Sequence, residues 1–312
     1  MNSAATLLLV LLAVYGVTAV GLVGLLLVAQ RTCRFVQVTA ANDLLVVRVT
    51  PMFGATLLTL AIALPAFLSY EPRVAHEPVG PIVFMLAGLT IAMLGDALRR
   101  ALKARAAARA FVSRCGLVCS EVSASRKDVQ IVETVEPIAA VIGLARPRIV
   151  AARRVFDACS ADEFHEVVAH ESAHMAARDN LKMLLLVATP DPLAWLPAGR
   201  RLVRRWRAAA EFEADDRATG ADPLRRLSLA SALIKVARMA ATDAVPYPSI
   251  AMRVADDDVP GRVRRLMSPP EAPRRSLLAI RLVCVALLAP ILAFPLYAPI
   301  HEIIESVVTF GR

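Results

Sequence analysis

Residues 4–30, AATLLLVLLAVYGVTAVGLVGLLLVAQ, carry no charged side chain and exceed the roughly 20 residues that a helix needs to cross the hydrocarbon core of a bilayer. Inside lipid every backbone N–H and C=O must be paired within the spanning structure, so the run is expected to be a membrane helix. It is too long for the apolar region of a signal peptide and has no basic start, and is therefore expected to be retained. Further apolar runs at Pro51–Tyr70, Gly80–Leu98 and about Ser276–Tyr297 bring the expected count to four spans. The second and fourth contain prolines, which spans tolerate when a bend or a neighbour re-satisfies the freed backbone. Arg281, near the start of the last run, is expected to snorkel to the headgroups. A hydrophobic share of 57% and a mean hydropathy of +0.57 agree with a membrane protein.

Orientation follows from the basic residues in the connecting segments. Arg31, Arg34 and Arg48 follow the first span, and Arg99, Arg100, Lys103, Arg105 and Arg109 follow the third. Both segments are expected on the cytoplasmic side. The short EPRVAHEP loop between the second and third spans suits the outer side. This places the N-terminus outside, residues 99–275 in the cytoplasm, and the tail HEIIESVVTFGR outside, as in a multi-pass protein of the cell (inner) membrane.

The formal net charge of +9 raises the question of nucleic acid, since basic runs follow phosphate backbones. The basic clusters hug the expected membrane edges instead and no nucleic-acid fold signature accompanies them, so direct nucleic-acid binding is not expected. Cysteines at 33, 115, 119, 159 and 284 are odd in number and scattered, which gives no disulfide framework and suits a reducing compartment. CGLVC has the wrong spacing and no second pair for a structural zinc site.

The chain divides on this reading into three spans over residues 1–98, a cytoplasmic domain over 99–243, a basic, proline-rich juxtamembrane linker with a short helix over 244–275, and a fourth span with a short tail over 276–312. Within the cytoplasmic part, residues 101–120 should continue as a helix off the membrane. DVQIVETV and AAVIGLARPRIVAA are β-branched stretches broken by Gly143 and Pro147, as in a hairpin or small sheet. Helical periodicity then takes over, and SADE at 160–163 is a capping box that should start a helix near Ala161. LKMLLLVATPDPLAWLP is apolar but too broken to span; it is expected at the membrane interface or under that helix. A charged helix ending near Gly220 and another over 224–242 follow.

The chemistry lies in EVVAHESAHMAARDN at 166–180. Residues four apart share a helix face, so His170 and His174 can aim at one ion, with Glu171 beside them to polarise a water. Catalytic zinc takes three protein ligands and keeps one position for water. EFEADD at 211–216 supplies the third: Glu211, with Glu213 the weaker alternative. Asp215, one turn after Glu211, is placed to accept the outer N–H of a ligand histidine. Asp179 is expected to lie, with Asp215, among the groups that surround the ligands, and to hold the C-terminal end of the helix through Arg178 or a backbone amide. His165 belongs on another side of the helix, at the surface.

The stretch AVIGLARPRIVAARRVFDACSADEFHEVVAHESAHMAARDNLKMLLL, followed by EFEADDRA, resembles the membrane zinc peptidases of the beta-lactam sensor-transducer (BlaR/MecR) type. EFEAD is also similar to the HtpX-type and CAAX-prenyl protease gluzincins. The likeness is close over roughly residues 130–220 and looser in the arrangement of spans. It implies a mostly α membrane protein with an α+β gluzincin-type zinc peptidase domain. It also implies His170, His174 and Glu211 as Zn2+ ligands and Glu171 as the catalytic base. Sensor members carry a penicillin-binding domain after the last span; here about fifteen residues follow that span, so a beta-lactam receptor role is not expected of this chain alone.

The function expected is that of an integral-membrane zinc metalloendopeptidase cutting a cytoplasmic or membrane protein, such as a repressor or itself, in regulated proteolysis, with a separate sensor protein as a further partner. RVRRLMSPPEAPRR is the candidate self-cleavage segment and otherwise a juxtamembrane linker. An HtpX-like quality-control protease and a non-catalytic signalling scaffold are the alternatives.

Overall fold

The computed structural model describes residues 3–32, 40–70, 79–114, 129–134, 136–242 and 258–268. The chain forms two units: Met1–Arg99 with Ala188–Val203 and Arg275–Arg312, and Arg100–Val187 with Arg204–Arg274. The expected fourth span, the 71–78 loop and most of the 244–275 linker lie outside the described residues.

In the first unit, α1 (Ser3–Thr32) lies against α2 (Ala41–Leu58), which continues through a π-helical turn (Thr59–Ala63) into α3 (Leu64–Tyr70); α4 (Pro81–Arg114) follows. Among the described residues, three helices are long and apolar enough to cross a membrane: Ala4–Arg31, Ala41–Leu68 and Pro81–Ser113. Their packing relies on small residues, as expected where lipid gives no hydrophobic drive between helices. Ala19, Ala55 and Met93 form a buried cluster with Tyr15 and Leu89. Gly16 sits so close to α4 that a Cβ there would stand 2.6 Å from Thr90 Oγ1, and that hydroxyl donates to Leu12 O at 2.7 Å. Leu25, Phe53, Leu60, Leu68, Met85 and Ile91 point outward. Exposed apolar side chains in such number suit a lipid-facing surface.

The second span is longer than its apolar run. Helix α2 begins at Ala41 and carries Arg48 within it, 1% exposed, instead of leaving it in a cytoplasmic connection. Its guanidinium pairs with Asp191 Oδ2 at 2.8 Å and donates to Thr189 Oγ1. A charge with a buried partner is tolerated where a lone one is not, and that partner is 143 residues away. The same segment, which holds a short 3-10 turn (Pro192–Ala194), takes a bond from Tyr15 Oη to Pro190 O at 2.8 Å and gives one from Trp195 Nε1 to Asp96 Oδ2 at 3.0 Å. Residues 188–203 thus group with the N-terminal helices rather than with the rest of 99–243.

The second unit holds a three-stranded sheet, β1 (Val129–Val132), β2 (Ala139–Ile142) and β3 (Arg148–Ala152), in the order β1-β3-β2. Strands β2 and β3 form the expected hairpin, turned by Gly143 at φ 100°, where a side chain would be strained. Strand β1 adds in parallel on the far side of β3. The RPRIVAA strand is therefore central and paired on both sides. Helices α5 (Arg153–Ala158), α6 (Ala161–Ala177), α7 (Asp179–Val187), α8 (Pro197–Thr219), α9 (Pro223–Thr242) and α10 (Val259–Met267) complete the described elements.

Helix α6 starts where its capping box dictates. Ser160 Oγ accepts from the Glu163 amide at 3.2 Å, and Glu163 Oε2 accepts from the Ser160 amide at 2.7 Å. Glu163 also takes bonds from Ser231 and Lys235 of α9, which ties the two helices together. Burial opposes its charge, but those donors prevail and hold the carboxyl down at about 2.

The short helix allowed for in the linker is α10, and it is part of the packed unit. Val259, Val263 and Leu266 join Ala218, Leu229, Ala230 and Leu233 in one apolar cluster. Asp258 caps its first turn, and Arg226 of α9 donates to the carbonyls of Arg265, Leu266 and Ser268 at its last.

Candidate metal centre

Helix α6 buries one face, and that face bears His170, Glu171 and His174, at 6%, 8% and 5% exposure. His165 is exposed. The Nε2 atoms of His170 and His174 face each other at 3.1 Å. Helix α8 supplies Glu211, also buried, whose Oε2 lies 3.4 Å from His170 Nε2 and whose Oε1 lies 3.5 Å from His174 Nε2. One donor atom from each of the three lies within 4.8 Å of the others. Glu213, the alternative ligand, instead pairs with Arg217 at 2.7 Å.

The outer nitrogens of the rings are held by carboxylates. His170 Nδ1 stands 3.0 Å from Asp215 Oδ1, off the line of a straight hydrogen bond. His174 Nδ1 lies 2.8 Å from Asp179 Oδ2. The expected partner of Asp179 was Arg178 or a backbone amide; the structure gives it His174 and, at 3.3 Å, Lys182. Backbone geometry explains the difference. Arg178 closes α6 in the left-handed region at φ 54°, uncommon for a residue with a side chain, and this reversal starts α7 at Asp179, next to the last ligand.

With protons on both Nδ1 atoms, each Nε2 keeps its lone pair, so two lone pairs and a carboxylate converge on one small volume. Such a donor set is repulsive without a cation between its members, and two imidazoles with one carboxylate suit zinc. Burial disfavours charge on His174, but its bonds to Asp179 and Glu211 win and push it up to about 10. His170 is raised in the same way by Asp215 and Glu211 against its burial. Burial pushes the Glu171 carboxyl up as well.

A further residue, Arg262 of α10, stands in this cluster and was not legible as a site residue. Its Nη2 and Nε hold Asp215 Oδ1 and Oδ2 at 2.6 and 2.9 Å, and its Nη1 lies 2.7 Å from Glu211 Oε2. In the sequence it sits in RVRR, which reads as headgroup-facing charge. The available signal was the spacing of Val259, Arg262, Val263 and Leu266, one helical face behind the Asp258 cap.

Residues 110–241 match the model of peptidase family M48. That family suggests metallopeptidase activity, generally zinc-dependent. The matched segment holds His170, Glu171, His174, Asp179, Glu211 and Asp215 and ends before α10. No curated protein matches the chain.

Carboxylates that orient metal-bound histidines are worth about 10- to 100-fold in metal affinity. Asp179→Ala is therefore expected to weaken zinc binding by about that factor. Competition against a chromophoric chelator measures it, and an unchanged affinity would show that the His174–Asp179 contact does not orient a ligand.

Proposed function

We propose that the chain is an integral-membrane zinc metalloendopeptidase, with His170, His174 and Glu211 as ligands and Glu171 as general base. The observation that carries this reading is the pair of inward-facing imidazole nitrogens 3.1 Å apart, closed by the Glu211 carboxylate and backed by Asp215 and Asp179. The match to peptidase family M48 supports the same activity. Zinc bound there would polarise a peptide carbonyl and lower the pKa of a water to about 7. Glu171, next to His170 on the helix, is the residue that would accept a proton from a water held at the site and return it to the leaving amine. Among the described residues β3 has both neighbours, which leaves β1 and β2 as the edges that an extended peptide could join.

The finer reading is regulated cleavage of a cytoplasmic or membrane protein by a domain on the cytoplasmic side, as the BlaR/MecR-type likeness suggests; quality control in the HtpX manner uses the same site. Three apolar helices support a membrane setting. Self-cleavage within Val259–Met267 would first require α10 to unfold, since Arg262 and Leu266 are buried there.

The test is casein hydrolysis by the detergent-purified protein before and after treatment with 1,10-phenanthroline. Loss of cleavage and its recovery on adding zinc are expected. Cleavage that survives complete removal of metal would contradict the reading.

A further inference from the structure

An arginine 1% exposed is expensive to bury, and its cost is offset only when its donors meet carboxylates in good geometry. Arg262 meets two, both on one face of α8. One prong pair grips Asp215, at 2.6 and 2.9 Å; the remaining Nη stands 2.7 Å from Glu211 Oε2 as an ion pair, off the line of a hydrogen bond, and Nη2 also lies 3.4 Å from His170 Nε2. The planar guanidinium thus spans the residue that faces His170 and the carboxylate that faces both histidines. A lysine ammonium, as a point donor, cannot present that fork. Three devices hold α10 in place to deliver it: the Asp258 cap, the Arg226 clasp and the Leu266 cluster.

We propose that Arg262 is a positioning residue of the metal site: it occupies Glu211 Oε2, leaves Oε1 as the oxygen offered to a metal, and fixes Asp215 against His170. The proposal rests on the zinc reading above, and it places part of the metal site in a helix beyond the segment that matches the peptidase family. The guanidinium does not touch the substrate in this role; it acts through the ligand set.

The sign of the effect separates positioning from mere charge. A cation beside a metal ion repels it, so loss of charge alone would strengthen metal binding. Loss of orientation weakens it, by about 10- to 100-fold for groups that orient ligands. It also frees Glu211 to use both oxygens, which should convert the intense visible bands of a four-coordinate cobalt(II) site into weaker five-coordinate ones.

The experiment uses full-length protein in detergent. Zinc affinity by chelator competition and the visible spectrum of the cobalt(II)-loaded protein are compared for wild type, Arg262→Gln, Arg262→Lys and Arg265→Gln. Arg265 is the control from the same helix, bonded to Asp216 at 2.8 and 2.5 Å. Weakened zinc binding with altered cobalt bands is expected in both Arg262 variants, and wild-type behaviour in Arg265→Gln. Arg262→Lys keeps the buried charge, so it tests the fork even where Arg262→Gln fails to fold. Wild-type affinity and spectrum in Arg262→Lys, tighter zinc binding in Arg262→Gln, or equal changes in Arg265→Gln would each overturn the proposal. A wild type that binds no metal would overturn the zinc reading and this inference together; a wild type that binds metal with unaltered Arg262 variants overturns this inference alone.

Discussion

Glu171→Gln is expected to keep its metal and lose peptide hydrolysis by about 10²- to 10⁴-fold, the usual contribution of a positioned general base. The side chain lies beside His170 on the buried face of α6, yet the three-residue donor cluster is His170, His174 and Glu211 without it. Glutamine preserves its size and removes only the ability to take a proton. Burial raises the carboxyl above its ordinary value, which makes it a stronger proton acceptor than an exposed glutamate. Casein turnover and metal content measured on the same preparation decide the matter. Retained turnover would place the base elsewhere, and lost metal would make Glu171 a ligand.

The second large effect is expected in the membrane unit. Arg48→Met leaves Asp191, itself 1% exposed, without the guanidinium 2.8 Å away. Breaking a buried pair from one side costs about 3–5 kcal/mol, because the remaining charge is stranded. Replacing both partners with apolar residues of similar volume is often close to neutral. The thermal midpoint in detergent is thus expected to fall in Arg48→Met and in Asp191→Leu, and to recover largely in the double variant. Additive losses in the double variant would show that the pair is not coupled, and that other bonds hold the 188–196 segment against the spanning helices.

What could be read from the sequence was what neighbours in the chain determine. The start of α6 follows from Ser160 and Glu163, three residues apart, and the shared face of His170 and His174 from a spacing of four. The β2–β3 hairpin follows from Gly143 and Pro147 between two β-branched runs. Partners distant in sequence were another matter. Arg48 reads as a charge that ends a span until Asp191 is seen beside it. Asp179 reads as an acid misplaced at a helix end until the left-handed Arg178 turns it back onto His174. Arg262 lies in a basic run, and only the folded α10 shows that one of its arginines faces inward while Arg264 stays exposed. In each case a polar residue took its role from a contact made across the fold, and local patterns of hydropathy and charge do not name the partner.

The most direct test is the zinc content of the detergent-purified wild type beside Glu211→Ala and His174→Ala. Stoichiometric zinc in the wild type and its loss in both variants is the expected result, since each variant removes one of three converging donors. A correctly folded wild type that retains no stoichiometric zinc, even after incubation with the metal, would contradict the account and leave two facing histidines held by carboxylates for another reason.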